Sequence, residues 1–501
     1  MTSHVSVSLL LAVSLLVPQA AWAETDPDSI KKAIAGYLAE TGGNIIEGGK
    51  ITYDDLTVTA VGEAYDVVLK GLRVSAADGS VIDAGDTGFT VTGNGADFDI
   101  SNVTLPNEIK ISSGHADDET AVLTWTQKVV TGTWTPLLEE FKALDLEMAG
   151  VSLSIPEGRY QAIAASFGDL IASVATDVVS DRDWRSESRY RLGPITVEDS
   201  EGEGTLTLGA FEVFGEVANL NPQLYRQQLD ILSQLEAAHE ANDQAEIEDL
   251  KGQVLALGPF AQEGWGGIAL TNLDFRHRAD DKLRVTLEAA SAVLRAAAPA
   301  GSETGSLGLT LSGNGLTYEI ANPDEKDRLA ALVVPNHWDL NMEVRQLPLE
   351  EATQVLTELV FSSIGIQDEP NIPFAQIRLA MGQAGSKLVI DELSLAGPYA
   401  ALDGEAEITA DPTSAMGAVG GGTLRLIGLH RLEEAIGDLQ SGVQQEIAKA
   451  LVFLRGGLVF LKGLGRPEPN GDAIDYLYVL DVPADGNFTL NGQPIGAMLP
   501  H

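Results

Sequence analysis

One strand–turn–strand phrase is written twice in this chain. GFTVTGNGADFDISN spans residues 88–102, and GLTLSGNGLTYEIAN spans residues 308–322. In each copy, apolar and polar residues alternate on both sides of an Asn-Gly pair, which is typical of a β-hairpin with a tight turn. The phrase therefore predicts two hairpins, each with one apolar face that another element or a ligand must cover.

A two-residue loop at each Asn-Gly pair predicts which side chains lie opposite one another. The apolar pairs would be Val91 with Phe98 and Phe89 with Ile100 in the first copy, and Leu311 with Tyr318 and Leu309 with Ile320 in the second. These eight residues are the candidate ligand-binding positions, and helices that cover them are the alternative. The repetition also indicates duplicated β-rich halves, with chance similarity as the alternative.

Similar strand patterns recur along the chain between turn residues. Examples are DLTVTA (55–60), GTLTLGAFEVFG (204–215), SKLVIDELSLAG (386–397) and DYLYVLDVP (475–483), while the Gly-rich residues 417–426 predict a turn. The strands follow one another without alternating helices, which favours antiparallel sheets. The predicted fold is α+β and predominantly β: two related curved antiparallel β-sheet units with covering helices and a helical hairpin insertion.

Apolar residues at helical spacing mark two longer segments, 221–258 and 429–465. The predicted organisation is a signal peptide (1–23), an N-terminal β-rich unit (24–218), a helical hairpin (219–260) and a C-terminal β-rich unit (261–501) with an amphipathic helix over 429–465.

The start of the chain predicts export. An apolar run up to Val17 is followed by Pro18 and the small-x-small sequence Ala21-Trp22-Ala23. This pattern predicts a secretory signal peptide cleaved after Ala23, with an uncleaved anchor as the alternative. The sequence contains no cysteine, so disulfides cannot stabilise it, and we expect a bacterial periplasmic location.

The charge of the chain limits its partners. It has 31 basic and 73 acidic residues and a net charge of −42. Such a surface repels nucleic-acid phosphates and anionic headgroups. We therefore expect no nucleic-acid partner, while a lipid, peripheral membrane contact or an envelope protein partner stays open.

Few patterns in the sequence carry chemistry. Ser29 begins an S-x-x-K pattern, which serves as a nucleophile motif in Ser–Lys acyl-enzymes, but the S-D-N and K-T-G motifs that accompany it are missing. The histidines are too far apart in sequence for a local metal site. We predict no catalytic residue, no metal site and no cofactor; a hydrolase is the least favoured alternative.

Two segments differ from the acidic background. Residues 182–194 combine four arginines with Trp184 and Tyr190, a combination that binds phosphates or sugars, or simply pairs with surface carboxylates. Residues 447–467 are basic and apolar and contain no acid; the candidate membrane-contact residues there are Lys449, Phe453, Arg455, Phe460 and Lys462. The alternative is a helix buried against a sheet, with its basic tips reaching solvent.

Three further segments carry a family resemblance: HWDLNMEVRQLPLEEATQVL (337–356), the strand-rich residues 385–436, and DGNFTLNGQPI (485–495). With them the chain resembles the alphaproteobacterial periplasmic family called domain of unknown function 2125, and more distantly the YdgA-like and AsmA-like envelope proteins. For AsmA-like relatives, the resemblance implies a long curved β-sheet whose apolar inner face carries lipid chains between membranes. It implies no catalytic residues.

Together these features predict a non-enzymatic periplasmic envelope protein that binds lipid or another hydrophobic ligand in a curved β-sheet groove. The alternative is a structural or assembly protein that binds envelope protein partners through sheet edges or the helical hairpin.

Overall fold

The computed structural model describes residues 26–45, 50–76, 79–112, 120–137, 140–155, 163–180, 182–199, 204–241, 243–277, 283–321, 323, 325–363, 372–439, 445–471 and 473–495. The predicted signal peptide, residues 1–23, lies outside this range. The chain divides into two compact units, Met1–Phe214 and Gly215–His501.

The first unit consists of one helix followed by antiparallel strands. The helix is α1 (Pro27–Ile45). The strands are β1 (Lys50–Thr52), β2 (Asp55–Val61), β3 (Ala64–Ser75), β4 (Val81–Asn94), β5 (Asp97–Thr104), β6 (Glu108–Ser112), β7 (Thr120–Thr124), β8 (Gln127–Thr135), β9 (Glu140–Ile155), β10 (Ile163–Ser180), β11 (Asp183–Gly193), β12 (Ile195–Asp199) and β13 (Gly204–Leu208). Strand β14 (Ala210–Leu220) carries the chain across the boundary between the units.

Six strands of the first unit pair in a closed circuit. β4 pairs with β6, β6 with β7, β7 with β9, β9 with β8, β8 with β5, and β5 returns to β4. Leu144 and Met148 of β9 and Trp125, between β7 and β8, belong to one buried apolar cluster. The circuit therefore packs its own core.

Helix α1 covers a second core of the first unit. Ile30, Ile34 and Leu38 lie one helical turn apart, and each is at most 2% exposed. They pack in one cluster with Phe89 and Val91 of β4. The apolar face of this part of the sheet is thus filled by the protein itself.

The second unit contains the remaining strands and seven of the eight helices in the described part of the chain. The strands are β15 (Glu263–His277), β16 (Leu283–Ala297), β17 (Thr304–Asn314), β18 (Thr317–Ile320), β19 (His337–Pro348), β20 (Lys387–Ala396), β21 (Ala401–Ala410), β22 (Ala418–Ile427), β23 (Arg466–Asn470), β24 (Ala473–Val482), β25 (Thr489–Leu490) and β26 (Gln493–Pro494). The helices are α2 (Pro222–Glu240), α3 (Gln244–Leu257), α4 (Glu325–Val333), α5 (Leu349–Ser363), α6 (Phe374–Ala384), α7 (Leu429–Leu439) and α8 (Gln445–Leu464).

The strands of the second unit form an antiparallel sheet in an almost sequential order. β15 pairs with β16, and the order continues through β17, β19, β20, β21 and β22 to β24. β24 also pairs with β23 and β25. Helices are inserted between some of these strands, so the sheet is a meander of eight central strands with helical excursions.

The ends of the helices follow known capping chemistry. The side chain of Asn221 accepts hydrogen bonds from the backbone N–H groups of Gln223 and Leu224, and Pro222 occupies the first helical position of α2. Asp243 caps α3 in the same way through the N–H of Glu246. Helix α6 ends at Gly385, whose φ of 64° suits glycine.

The fold confirms the predicted class, since the protein is α+β, predominantly β, and antiparallel. The helical hairpin is present as α2 and α3. The two helices pack together through a buried cluster that includes Leu235, Ile247 and Leu250. The segment predicted as one amphipathic helix over 429–465 is described as two helices, α7 and α8.

The first copy of the repeated phrase is a hairpin, but its predicted register is wrong by two residues. Val91 lies opposite Ile100, and Asn94 lies opposite Asp97, so the loop is Gly95-Ala96. Asn94 stays in the strand, where its side-chain N–H donates to Asp99 at 3.1 Å. A shift of two residues keeps every side chain on its predicted face.

The second copy is not a hairpin, and that prediction is wrong. β17 and β18 both pair with β16: Ala289 lies opposite Asn314, and Thr286 lies opposite Thr317. The chain therefore runs straight past Gly315, which has a φ of 70°. Strand β16 is long enough to pair with both segments, so β17 and β18 form one interrupted strand along β16 and no turn forms between them. The repeated phrase consequently gives no support for duplicated halves.

The two copies predict a matched stability experiment. Ile100 is 4% exposed in the core under α1, whereas Ile320, at the equivalent place in the second copy, is only half-buried. We expect Ile100→Ala to lower the free energy of unfolding by about 2–5 kcal/mol. Ile320→Ala should cost about 1 kcal/mol or less, because less apolar surface is lost from contact. Urea unfolding of both variants measures the difference, and equal losses would contradict the two environments.

Candidate functional site

One face of the second unit's sheet is apolar across eight strands. Residues directly opposite each other in paired strands share a face, which gives four rows. They are Gly266–Leu294–Leu309–Met342–Ile390–Ala406–Gly422–Leu480; Ile268–Ala292–Leu311–Leu340–Leu393–Gly404–Leu424–Tyr478; Gly264–Ala296–Leu307–Val344–Leu388–Ile408–Gly420–Val482; and Leu270–Ala290–Gly313–Trp338–Leu395–Leu402–Leu426–Tyr476. We call these four rows the apolar face; they contain no charged side chain.

The opposite face of the same strands is polar and bonded to itself. The hydroxyl groups of Ser291 and Ser312 lie 2.8 Å apart across β16 and β17. Further along, the Lys387 ammonium donates to Glu407 at 2.6 Å. The two faces of the sheet therefore differ in chemistry. Polar groups on one face bond to one another, and the other face offers only apolar surface.

Part of the apolar face remains open to solvent. The exposed fractions are 49% for Ile268, 52% for Leu294, 40% for Leu395 and 37% for Leu480. These values contrast with the 0–7% of the buried apolar residues in the cluster under α1 in the first unit. Contiguous exposed apolar surface of this kind marks interaction sites in soluble proteins.

Helices cover the apolar face at its β24 end. There, Leu451 and Leu458 of α8 and Ile436 of α7 are buried and pack against Leu426 and Tyr476 of the outermost row.

Tyr478 fastens this covered end to α8. It is 7% exposed, and its hydroxyl donates to the carbonyl oxygen of Leu461 at 2.8 Å. Burial raises the pKa of Tyr478 to about 12, since the phenolate would lose its hydration. The tyrosine therefore stays neutral and keeps its hydrogen bond at physiological pH.

Residues 417–426, which predict a turn, form strand β22 instead. The glycines are required by close strand approach, since a Cβ on Gly420 or Gly422 would overlap a carbonyl oxygen of β21. They also leave the apolar face without side chains at two adjacent rows. A glycine-rich sequence is typical of a turn, but glycine also occurs in strands where a neighbouring backbone approaches closely, and the sequence does not reveal such a neighbour.

The eight candidate ligand-binding residues fall into two environments. Phe89, Val91 and Ile100 are buried under α1, and Phe98 packs against the same cluster, so none of these offers an open surface. Leu309 and Leu311 lie on the apolar face, half-buried, whereas Tyr318 and Ile320 belong to β18, where they face Val285 and Leu283.

Sequence reasoning missed most of the apolar face. Residues such as Leu294, Met342 and Ile390 lie in strands far from the repeated phrase. Their signal is the alternation of apolar and polar residues in strands such as β17, β19 and β21. Alternation alone does not reveal which strands are neighbours, so the continuity of the face becomes visible only from the register.

The five candidate membrane-contact residues all lie on α8, but not on one side of it. Phe453 is 83% exposed and Phe460 is 50% exposed, and Lys449 and Arg455 are exposed as well. Lys462 instead forms an ion pair with Glu433 of α7. The alternative of a buried helix is thus true of one side of α8 only.

Most of the arginine-rich segment forms strand β11, and two of its arginines contact a carboxylate. Arg189 and Arg191 both pair with Glu212, at 2.7 and 3.3 Å. Trp184 is 5% exposed, and the Lys142 ammonium lies 5.8 Å from the centre of its ring. These contacts match the ion-pair alternative rather than an open phosphate or sugar site.

The S-x-x-K segment lies at the start of α1. The hydroxyl of Ser29 donates to Asp26 at 2.5 Å, and this bond, with backbone N–H donors, holds the pKa of Asp26 below its usual value. Asp26 thereby acts as a cap of the helix. Among the described residues, no group of three His, Asp or Glu side chains is placed to hold a metal ion.

Comparison with protein-family models, curated proteins and solved structures gives no match for this chain. The resemblance to the family of unknown function and to AsmA-like proteins therefore stays a prediction. In the part of the chain that the structure describes, no helix is long and apolar enough to cross a membrane.

Packing on the apolar face can be tested at Gly313. A Cβ at this position would overlap the indole ring of Trp338 on the next strand, whereas a Cβ at Gly93, its equivalent in the first copy, meets nothing within 4 Å. We expect Gly313→Ala to lower stability by about 1–3 kcal/mol and Gly93→Ala to change it little, as measured by urea unfolding.

A double-mutant cycle supplies the control for this prediction. In a Trp338→Leu background, Gly313→Ala should lose most of its cost, because the overlapping ring is gone. An unchanged cost in that background would show that the indole does not lie across Gly313.

Proposed function

We propose that the protein is a non-enzymatic periplasmic protein of the cell envelope that binds lipid acyl chains on the apolar face of its second unit. The observation that carries the proposal is the combination of four uncharged rows across eight strands with exposed fractions of up to 52%. The periplasmic part of the proposal rests on the predicted signal peptide.

The dimensions of the apolar face suit a lipid chain. Strands lie about 4.8 Å apart, so eight strands extend about 34 Å, and four rows occupy about 20 Å along the strands. One leaflet of a bilayer has a hydrocarbon thickness of about 15 Å. An acyl chain laid on this face would therefore contact several side chains along its whole length.

The energetics favour an apolar ligand over a polar one. Each Leu or Ile that a ligand removes from water contributes up to about 1.5–3 kcal/mol, less the fraction already buried. The rows contain no side chain that could neutralise a charge, so a charged headgroup must remain at the border of the face. The same lack of charged side chains supports binding rather than catalysis as the role of this face.

The helical hairpin gives less support to the alternative of a protein-binding adaptor. Its apolar stripe, including Leu235, Ile247 and Leu250, is buried between α2 and α3, with exposed fractions of at most 1%. The hairpin thus uses its stripe internally.

A single substitution on each side of the sheet tests the proposal. Leu309→Asp places a charge in the centre of the apolar face, and Thr310→Asp places the same charge on the polar face of the same strand. We expect Leu309→Asp to weaken binding of a monomeric short-chain phospholipid with a fluorescent acyl chain by about tenfold or more, and Thr310→Asp to leave it unchanged.

The binding is measured by fluorescence titration, with circular dichroism to show that both variants are folded. No binding to the unsubstituted protein, or equal loss in the two variants, would overturn the proposal.

A further inference from the structure

Helix α8 has two apolar sides, and among the described residues only one of them forms part of a buried cluster. The inner side carries Leu451, Leu454 and Leu458, which belong to or pack on the buried cluster with α7. The other side is formed by residues that recur at helical spacing; we call it the outward face of α8, and it consists of Lys449, Val452, Phe453, Gly456, Val459, Phe460 and Gly463.

All seven residues of the outward face are exposed. Val452 is 64% exposed, Phe453 83%, Val459 59% and Phe460 50%. A Cβ added to Gly456 or Gly463 would meet nothing within 4 Å, so these glycines answer no packing need among the described residues. Exposing two phenylalanines and two valines to water is energetically unfavourable. Such a helix face indicates a surface that is covered when the protein functions.

The charges on this part of α8 oppose those of the whole chain. Lys449 lies on the outward face, and exposed Arg455 lies beside it, in a protein with a net charge of −42. At physiological ionic strength charges act over only about 8 Å, so an approaching surface responds mainly to the charges near the contact and not to the net charge of the chain. Exposed phenylalanines flanked by basic residues are typical of helices that lie in a lipid interface.

We propose that the outward face of α8 docks the protein onto the surface of a bilayer that contains anionic lipids. The helix lies along the interface, inserts Phe453 and Phe460 between headgroups, and places Lys449 and Arg455 against lipid phosphates. A second copy of this chain is a poor occupant, because two outward faces carry the same cations, Lys449 and Arg455, and would repel each other.

This docking would place the apolar face next to the membrane. The inner side of α8 packs on Leu426 and Tyr476, at the β24 end of that face. The inference stands on α8 alone, however, and holds whether or not the apolar face binds lipid.

The test is co-sedimentation of the full protein with vesicles of phosphatidylethanolamine and phosphatidylglycerol. We expect Phe453→Ser/Phe460→Ser to reduce the bound fraction by roughly tenfold or more, since both side chains are exposed and leave the core intact. The matched control is Phe374→Ser/Leu379→Ser on α6, which removes side chains that are 74% and 54% exposed; its binding should equal that of the unsubstituted protein.

Charge is tested separately. Lys449→Glu/Arg455→Glu should weaken binding to these vesicles and have little effect on vesicles in which phosphatidylcholine replaces phosphatidylglycerol. Equal effects on both vesicles would contradict the anionic-lipid part of the proposal.

Three results would overturn docking as a whole: no sedimentation of the unsubstituted protein, full binding by the phenylalanine variant, or a dimer that this variant abolishes. The Leu309→Asp protein should still bind vesicles, and the phenylalanine variant should still bind the monomeric phospholipid. Failure of one proposal can therefore be distinguished from failure of the other.

Discussion

The structure depends on cross-strand register. In an antiparallel sheet, register decides which side chains share a face. A continuous apolar face forms only where every strand places its apolar residues on the same side. The second unit meets this condition over eight strands, so that one face becomes apolar throughout while ion pairs and hydroxyl contacts gather on the other. The first unit meets the same condition but covers its faces with α1 and with its own strands. The difference between the units is what covers each face, and this difference carries the functional proposal.

Coverage of the second sheet is uneven for a physical reason. The leucines of α7 and α8 reach the β24 end of the outermost row, where they pack against Leu426 and Tyr476. On its other side, helix α8 exposes two phenylalanines and two valines to solvent. One side of α8 packs on the sheet and the other side faces solvent. The same helix would therefore contact both the apolar face, where a ligand is proposed to bind, and a membrane at its outward face.

The sequence was sufficient for the fold class, because alternation in strands and helical spacing in residues 221–258 are local properties. It was insufficient for register and partners. The repeated phrase forms a hairpin at Gly95 but a straight interrupted strand at Gly315, although the turn residues are the same. The long strand β16 decides that outcome, and no residue within the phrase reveals it. For the same reason, Leu309 was found as a candidate, while Leu294, its cross-strand neighbour, was not.

The most direct measurement of the central claim is the lipid content of the protein as it comes from a bacterial envelope. The protein would be purified without detergent and extracted with organic solvent, and the extract would be analysed by mass spectrometry. The account predicts phospholipid or fatty acid at about one or more molecules per chain, and its loss on substitution within the apolar face. A lipid-free protein whose apolar face is nevertheless protected from solvent would contradict it, because the face would then be covered by the chain itself.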